Sequence, residues 1–510
     1  MRTNGNFIIR SHFLLILVLF LVANTTINRK TSTTNFYISK RGDDSANGLT
    51  PNTSWLTIEK VNNTKFSPGD SILFKRGNAW REGQALYGSS NGTIGKSIVF
   101  GAYGKGAKPL ILASKDISSS IYWTLSTENI WKTTSKINIT TRDGREQITP
   151  DVANLIFNNE ESIGFKRRFL KNLKTQGDFC LNLADTILYM YSITNPSTYY
   201  KKIEATGIRN CENNIEVING HYLTFTNLDI RYSKNNGLFL QDCSNIEINN
   251  CDFSWIGGCY YPIQTFWLDS KEHARMGNGV QLWQGNSDVV VRNCNINQVY
   301  DAGISPQGVG KAYSIKNLRF HHNLINNCYY SFEFWGRPAT STGDNIFFEN
   351  NTCMNAGSGW STSQRPDKNS SAHIKLFDSN MAFSNVFIRN NIFNESVNLC
   401  LYSEQENSDS NTSKMWEAFT LDNNCYYQSS KEKHVTRWRG GSDKGGSDFY
   451  MNDLKSYQTL SGKEVHSLFS DPLLTPQYKL KLGSPAIDAG IDVGYPYKGS
   501  SPDMGAFEMK

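Results

Sequence analysis

Six segments of the chain can be laid one above another: Leu223–Asn227, Ile246–Asn250, Val289–Asn293, Leu318–His322, Ile346–Asn350 and Val386–Asn390. In each, apolar residues occupy alternate positions of a short β-prone run, and the run stops at Asn or, once, His. Strict alternation turns one set of side chains inward and the other outward. A strand of this length cannot bury a core alone, so the copies must stack, each covering its neighbour. The period inside each unit is two and not 3.6, which excludes an α-solenoid. The predicted architecture is all-β, a right-handed parallel β-helix.

Stacking aligns the residues that end the strands. Asn227, Asn250, Asn293, His322, Asn350 and Asn390 are expected to form a ladder, their side chains bonding from coil to coil and satisfying turn backbone that would otherwise be buried unpaired. This role is structural and includes His322. The next column reads Leu228, Cys251, Cys294, Asn323, Asn351 and Asn391, so Cys251 and Cys294 are expected on adjacent coils. Strands in one sheet lie roughly 4.8 Å apart, which suits either a disulfide or a reduced pair packed in the core. The ten cysteines show neither the spacing of a small stapled domain nor the CxxC pairs of a zinc site, and are read mostly as packing residues.

Repeat spacing lengthens where Ser254–Met276 and Thr352–Ala372 intervene, as solenoids allow on one face. The N-terminus carries Arg2 and Arg10, then the apolar run Phe13–Ala23, and turns polar at Asn24, which is the layout of a secretory signal. The domain reading is a signal peptide over 1–24, an N-terminal cap and first coil over 25–110, a β-rich insertion over 111–204, coils over 205–402, and C-terminal coils with a cap over 403–510. A short helix near Thr57–Asn62 is expected to cover the open solenoid end. A formal charge of +6 without a long basic run argues against nucleic acid as partner. The chain is expected to be a monomer, secreted or periplasmic, with no membrane association after signal removal.

The opening Phe36–Gly48 with its Gly-Asp-Asp-Ser-Ala-Asn-Gly turn, the Pro68-Gly69-Asp70 turn, the Asn-ended coils and the tail segments Ser484–Gly490 and Ser501–Glu508 resemble the secreted bacterial β-helix proteins of the pectin lyase-like superfamily. The resemblance spans nearly the whole mature chain. It implies the fold; the reactions hosted there include pectate and alginate lyases, polygalacturonases, other glycoside hydrolases, epimerases and phage tailspikes, so it does not choose among them.

A second set of strands aligns behind small residues: Gly237–Leu240, Gly279–Trp283, Gly303–Gln307, Ser331–Trp335 and His373–Phe377. Their outward positions put Phe239, Gln281, Ser305, Glu333 and Lys375 in one exposed column, with Trp283, Gln307, Trp335 and Phe377 beside it. Sugars present apolar CH faces and a rim of hydroxyls, so aromatic platforms among amides, carboxylates and cations suit a polysaccharide or oligosaccharide. The alternative is a wetted sheet whose aromatics pack under a loop. Inserted segments add Asp269, His273, Arg275, Arg337, Arg365 and Asp367. Arg337 or Arg365 could equally pair with Glu333 or Asp367.

Three readings follow. In a glycoside hydrolase, the favoured one, one carboxyl protonates the leaving oxygen and another serves as nucleophile or activates water; Glu333 is the acid, desolvated beside Trp335, and Asp301 its partner. An extended path would put them about 13 Å apart, so a bend is required. In a polysaccharide lyase, Lys375 takes the proton α to a uronate carboxylate, Arg337 or Arg365 neutralises that carboxylate, and His373 donates a proton. The chain has no compact Asp/Glu cluster for the Ca²⁺ of pectate lyase relatives; no metal and no cofactor is expected. The third reading is a non-catalytic glycan-binding or adhesive solenoid, in which neutralising Asp301, Glu333 and Lys375 costs no turnover.

Overall fold

Strands too short to hold a face of their own are paired in parallel, coil upon coil. The computed structural model describes Met1 and residues 33–82, 85–137, 151–207, 213–260, 275–365, 369–377, 379–403, 417–430, 433–438 and 447–509. Among the described residues, three sheets run along the repeat. The first has ten strands, from Asn35–Ile38 to Phe419–Asp422; the second nine, from Ala79–Trp80 to Cys425–Tyr427; the third ten, from Leu86–Tyr87 to Ser447–Tyr450. Each coil contributes one strand to each sheet, as Ser314–His321, Leu324–Asn326 and Tyr330–Gly336 do. Residues 2–32, where the sequence leads one to expect a signal peptide, lie outside the described residues.

The inward positions read from the repeat are neighbours in register: Leu223, Ile246, Val289, Leu318, Ile346 and Val386 follow one another across the first sheet. All six are buried. Aromatics continue the stack, with Phe332 facing Phe320 at 5.1 Å and Phe348 at 4.4 Å between ring centroids.

The predicted column bonds from coil to coil at two steps, Asn250 Nδ2 to Asn227 Oδ1 at 2.9 Å and Asn390 Nδ2 to Asn350 Oδ1 at 3.4 Å. Asn227, Asn250, Asn293, His322, Asn350 and Asn390 all adopt left-handed backbone, with φ between 48 and 59°. That is the conformation in which the chain leaves the first sheet for the second, and Asn tolerates it better than any residue but Gly. The continuous amide ladder is the next column. Asn351 Oδ1 accepts from the Asn323 N–H and Nδ2, Asn391 Oδ1 from those of Asn351, and Asn424 Oδ1 from those of Asn391, all at 2.9–3.1 Å. Each Nδ2 also donates to an interior carbonyl, Asn351 to Phe320 and Asn391 to Phe348. Glu464 and Ser467 end the column: Asn424 Nδ2 donates to the Glu464 carboxyl, and Ser467 Oγ accepts from Asn424 N.

Cys251 and Cys294 occupy that column on the preceding coils as buried thiols, like all nine described cysteines. Burial pushes the Cys251 thiol up to about 12, so the reactive thiolate is scarce. The expected outcome in differential scanning calorimetry is the same thermal midpoint with and without reductant.

The N-terminal end is closed by the helix Ile58–Asn62, whose Lys60 N–H is capped by the Thr57 hydroxyl and whose Ile58 N–H donates to Glu82, and which buries Ile58 and Val61. Residues Ser114–Thr206 contribute a four-stranded and a five-stranded sheet with a separate core around Phe157, Phe179, Met190 and Ile203. This portion touches the coils through buried polar contacts. Lys166 forms an ion pair with Asp151 and donates to the Gly258 carbonyl, and Gln364 Nε2 donates to the Gly164 carbonyl. The C-terminal tail runs back over the turns. Asn390 exchanges two hydrogen bonds with the Ile491 backbone, Asn350 donates to the Asp503 carbonyl, and the Ala506 N–H donates to Thr352.

Candidate active site

The outer face of the third sheet carries the predicted column. Phe239 pairs with Gln281, Gln281 with Ser305, and Glu333 with Lys375. The direction of these side chains is as the alternation required, but their exposure is not: Gln281 is 4%, Ser305 0%, Glu333 7% and Lys375 0% exposed. The column is roofed, so its polar groups must find partners on the protein. Gln281 Oε1 accepts from Asn278 Nδ2 at 2.5 Å and Gln307 Nε2 at 2.8 Å, its own Nε2 donates to the Ser305 carbonyl, and Ser305 Oγ donates to Glu333 Oε2 at 3.3 Å. Lys375 Nζ lies 3.7 Å from the ring centroid of Tyr402, its register neighbour on the next coil.

Burial pushes Glu333 up to about 8, and the negative charge of Asp301 adds to the rise; Lys375, Arg365 and the Ser305 hydrogen bond work against it. Asp301 sits at the corner before the strand Ala302–Gly308, where its carbonyl accepts the N–H groups of Tyr329 and Tyr330. Its carboxylate pairs with Arg365 Nη1 at 2.9 Å. The Arg365 guanidinium lies 3.8 Å from the ring centroid of Tyr329 and 5.0 Å from that of Tyr300. Two carboxyls therefore stand in opposite environments: one dry and held protonated, the other ion-paired.

Beside them runs a half-buried aromatic row. Trp283 and Trp335 are 6.3 Å apart and Trp335 and Phe377 6.2 Å apart between ring centroids. The Trp335 indole N–H is buried with no acceptor among the described residues. Gln307 lies between the two tryptophans in register. Arg337 stands beyond the strand end, its N–H on the Gly308 carbonyl. Asp269, His273 and Asp367 lie outside the described residues.

His373 is not where the alternation put it. The chain turns a corner before this strand, so both Ser331 and Phe332 point inward and the count of two restarts; His373, aligned with Ser331, follows it into the interior. It is fully buried, Nδ1 accepts from Ser331 Oγ at 3.0 Å, Nε2 donates to the Glu395 carbonyl at 3.1 Å, and the ring lies near Phe393. Burial lowers it to about 3, leaving a neutral, locked tautomer that takes no part in the outer column.

Several site residues escaped the sequence reading. Tyr402 would have appeared had the strand alignment been carried one coil further, to Leu399–Ser403. Tyr330 opens the strand bearing Glu333, with Tyr329 just before it, and Tyr300 precedes Asp301. Arg275 is buried, donates to Gln364 Oε1 at 2.9 Å and to the Gly258 carbonyl, and lies 4.7 Å from the Tyr300 ring centroid.

Fold and site together define a right-handed parallel β-helix with a buried glutamate on one sheet and an ion-paired aspartate at the corner before a neighbouring strand. Residues 192–425 match the family described as the right handed β-helix region. No curated protein matches the chain. Among solved structures it is similar to a lacto-N-biosidase from Eubacterium ramulus, at 14% identity and a TM-score of 0.40 over 80% of this chain; it spans 62% of that protein's length. It is also similar to a pectate lyase, at 14% identity and a TM-score of 0.44 over 94% of this chain and 97% of the other. A third is a protein solved with xylose, at 12% identity and a TM-score of 0.39 over 85% and 82%.

Proposed function

We propose that the chain is an exported glycoside hydrolase of the pectin lyase-like type. Glu333 would protonate the leaving oxygen, and Asp301 would act as the ionised partner, nucleophile or base. The observation that carries this reading is the split between the two carboxyls: a buried Glu333 raised to about 8 beside an Asp301 held by Arg365. Glycosidic cleavage needs one carboxyl that keeps its proton at working pH and one that does not. Trp283 and Trp335 would carry the apolar faces of a sugar. Gln281, Ser305 and Gln307 hold the floor beneath them. Export is supported by the run Phe13–Ala23 behind Arg2 and Arg10. The mechanism asks for no metal, so a chelator should leave the rate unchanged.

The test is incubation of the purified protein with neutral and uronate-containing polysaccharides, following new reducing ends and the ultraviolet absorbance of unsaturated uronate ends. Reducing ends without that absorbance support the hydrolase. Absorbance growth replaces it with the lyase reading, which rests on Lys375 standing in register with Glu333. Silence in both channels favours the binding solenoid.

The pH profile gives a second check. The acid must carry its proton, so kcat/KM is expected to fall as pH rises through about 8. A profile flat well above that value would remove Glu333 from the acid's role.

A further inference from the structure

The outer face of the first sheet, a different face from the one bearing Glu333, holds a groove of about 710 Å³ between the coils and the C-terminal tail. Tyr222, Glu247, Arg292, His321, His322 and Tyr495 line it. We propose that this groove is a second, non-catalytic binding site for a neutral oligosaccharide chain.

The case begins with Tyr222. Near the start of six first-sheet strands one residue stands outside the ladder pairs, and the pairing passes over it, as from His221–Ser244 to Leu223–Ile246. These residues are Tyr222, Asn245, Asp288, Asn317, Asn345 and Asn385, all in left-handed backbone at φ 52–56°. Asn and Asp suit that conformation and bond along the column, as Asn317 does to Asp288 at 2.8 Å and Asn345 to Asn317 at 3.2 Å. Tyr gains no such bond and is uncommon in this backbone region. An aromatic ring replaces the amide where the groove lies, and a ring face is what the apolar side of a sugar packs on.

The histidines supply matching polar chemistry. Their Nδ1 atoms are 2.8 Å apart, and Tyr495 stacks on His321 at 4.3 Å between centroids. Burial lowers His321 to about 3 and His322 to about 4, helped by Arg292. Two neutral imidazoles sharing one Nδ1 proton have fixed opposite tautomers, so one Nε2 is an acceptor and the other a donor. Such a pair matches two neighbouring hydroxyls, each of which can give or take a proton. Arg292 and Glu247 add a paired fork, Nη2 to Oε1 at 2.6 Å, and Asp288 also lines the groove, so the lining carries no excess of positive charge to hold an anion. A neutral sugar chain therefore fits better than an anionic one.

This site does not depend on the catalytic reading, because binding is measured without turnover. Both test substitutions use the residue that the stack itself places at the equivalent turns: Tyr222→Asn and His322→Asn. Calorimetric titration of the Glu333→Gln chain with xylohexaose, cellohexaose and galactohexaose is expected to show two binding events with at least one of them. Adding both groove substitutions should remove one event, weakening it about tenfold or more, and leave the other unchanged. The thermal midpoint of the double variant should not fall. The proposal is overturned if every event survives the substitutions unchanged, or if no probe binds the parent chain; a single event that the groove substitutions abolish supports the groove and counts against the Glu333 face. Loss of the single catalytic-face event on mutating Trp335, with the groove event intact, would separate failure of one reading from failure of the other.

Discussion

Glu333→Gln is expected to lower kcat by about 10²–10⁴-fold, the range over which a positioned acid contributes, while the substrate still binds. The amide keeps the shape of the side chain and the hydrogen bond from Ser305 Oγ, but has no proton to give. Stability changes in the opposite direction, and the sign follows from the raised carboxyl. Between about 4.5, its ordinary value, and about 8 the folded chain holds a proton that the unfolded chain has released. Wild-type stability from this group is therefore largest below 4.5 and declines as pH rises to 8, by up to about 1.4 kcal/mol per pH unit. Gln has no such slope, so the midpoint of the variant relative to wild type should climb across that window. A variant that loses activity with no pH-dependent gain would mean that Glu333 is ionised in the folded chain. Asp301→Asn is the companion: it removes the partner carboxyl and the ion pair with Arg365 together.

How much of this could be read beforehand depends on what kind of regularity each residue obeys. Leu223, Ile246, Val289 and their successors were placed correctly because strand alternation is local. The turn column was also located, yet Asn227 and its successors bond to one another only at two steps and all serve left-handed backbone, and the continuous amide ladder belongs to Asn323, Asn351, Asn391 and Asn424. Distinguishing the two columns needs the direction of a side chain at a turn, which sequence periodicity does not carry. The pairing of Glu333 with Lys375 was legible, whereas their burial was not, because alternation gives the face a side chain takes and not what lies over that face. His373 was misread for a third reason: alternation restarts at a corner, and nothing in His373–Phe377 marks where.

Asn351→Leu should lower stability by about 3–6 kcal/mol, the largest single effect expected outside the carboxyl pair. The substitution removes a side chain that bonds the Asn323 N–H and Nδ2 above it and donates to the Phe320 carbonyl and Asn391 Oδ1. All lie in the dry interior, where each orphaned group costs about 1–3 kcal/mol. The protein supplies its own milder control. Cys294 occupies the same column on an earlier coil, makes only a thiol's weak contacts to the Ile248 and Arg292 carbonyls, and still joins the ladder by donating its N–H to Asn323 Oδ1. Asn351→Cys should accordingly lose less than Asn351→Leu. Hydrogen exchange of the strands Ser314–His321 and Thr342–Glu349, with the thermal midpoint, checks both; equal protection in the two variants would assign the column to packing alone.

The returning C-terminal tail has a meaning in time as well as in space. A ribosome, or an export channel threading the chain from its N-terminus, releases the coils bearing Asn350 and Asn390 more than a hundred residues before it releases the Ile491 and Asp503 groups that satisfy them. Until then those turns are open to water and to any foreign strand or amide. The solenoid can grow coil by coil, but its flank is signed off only when the final stretch of chain arrives, so a nascent chain stalled short of Ile491 would be a nearly finished helix that still advertises itself to proteases.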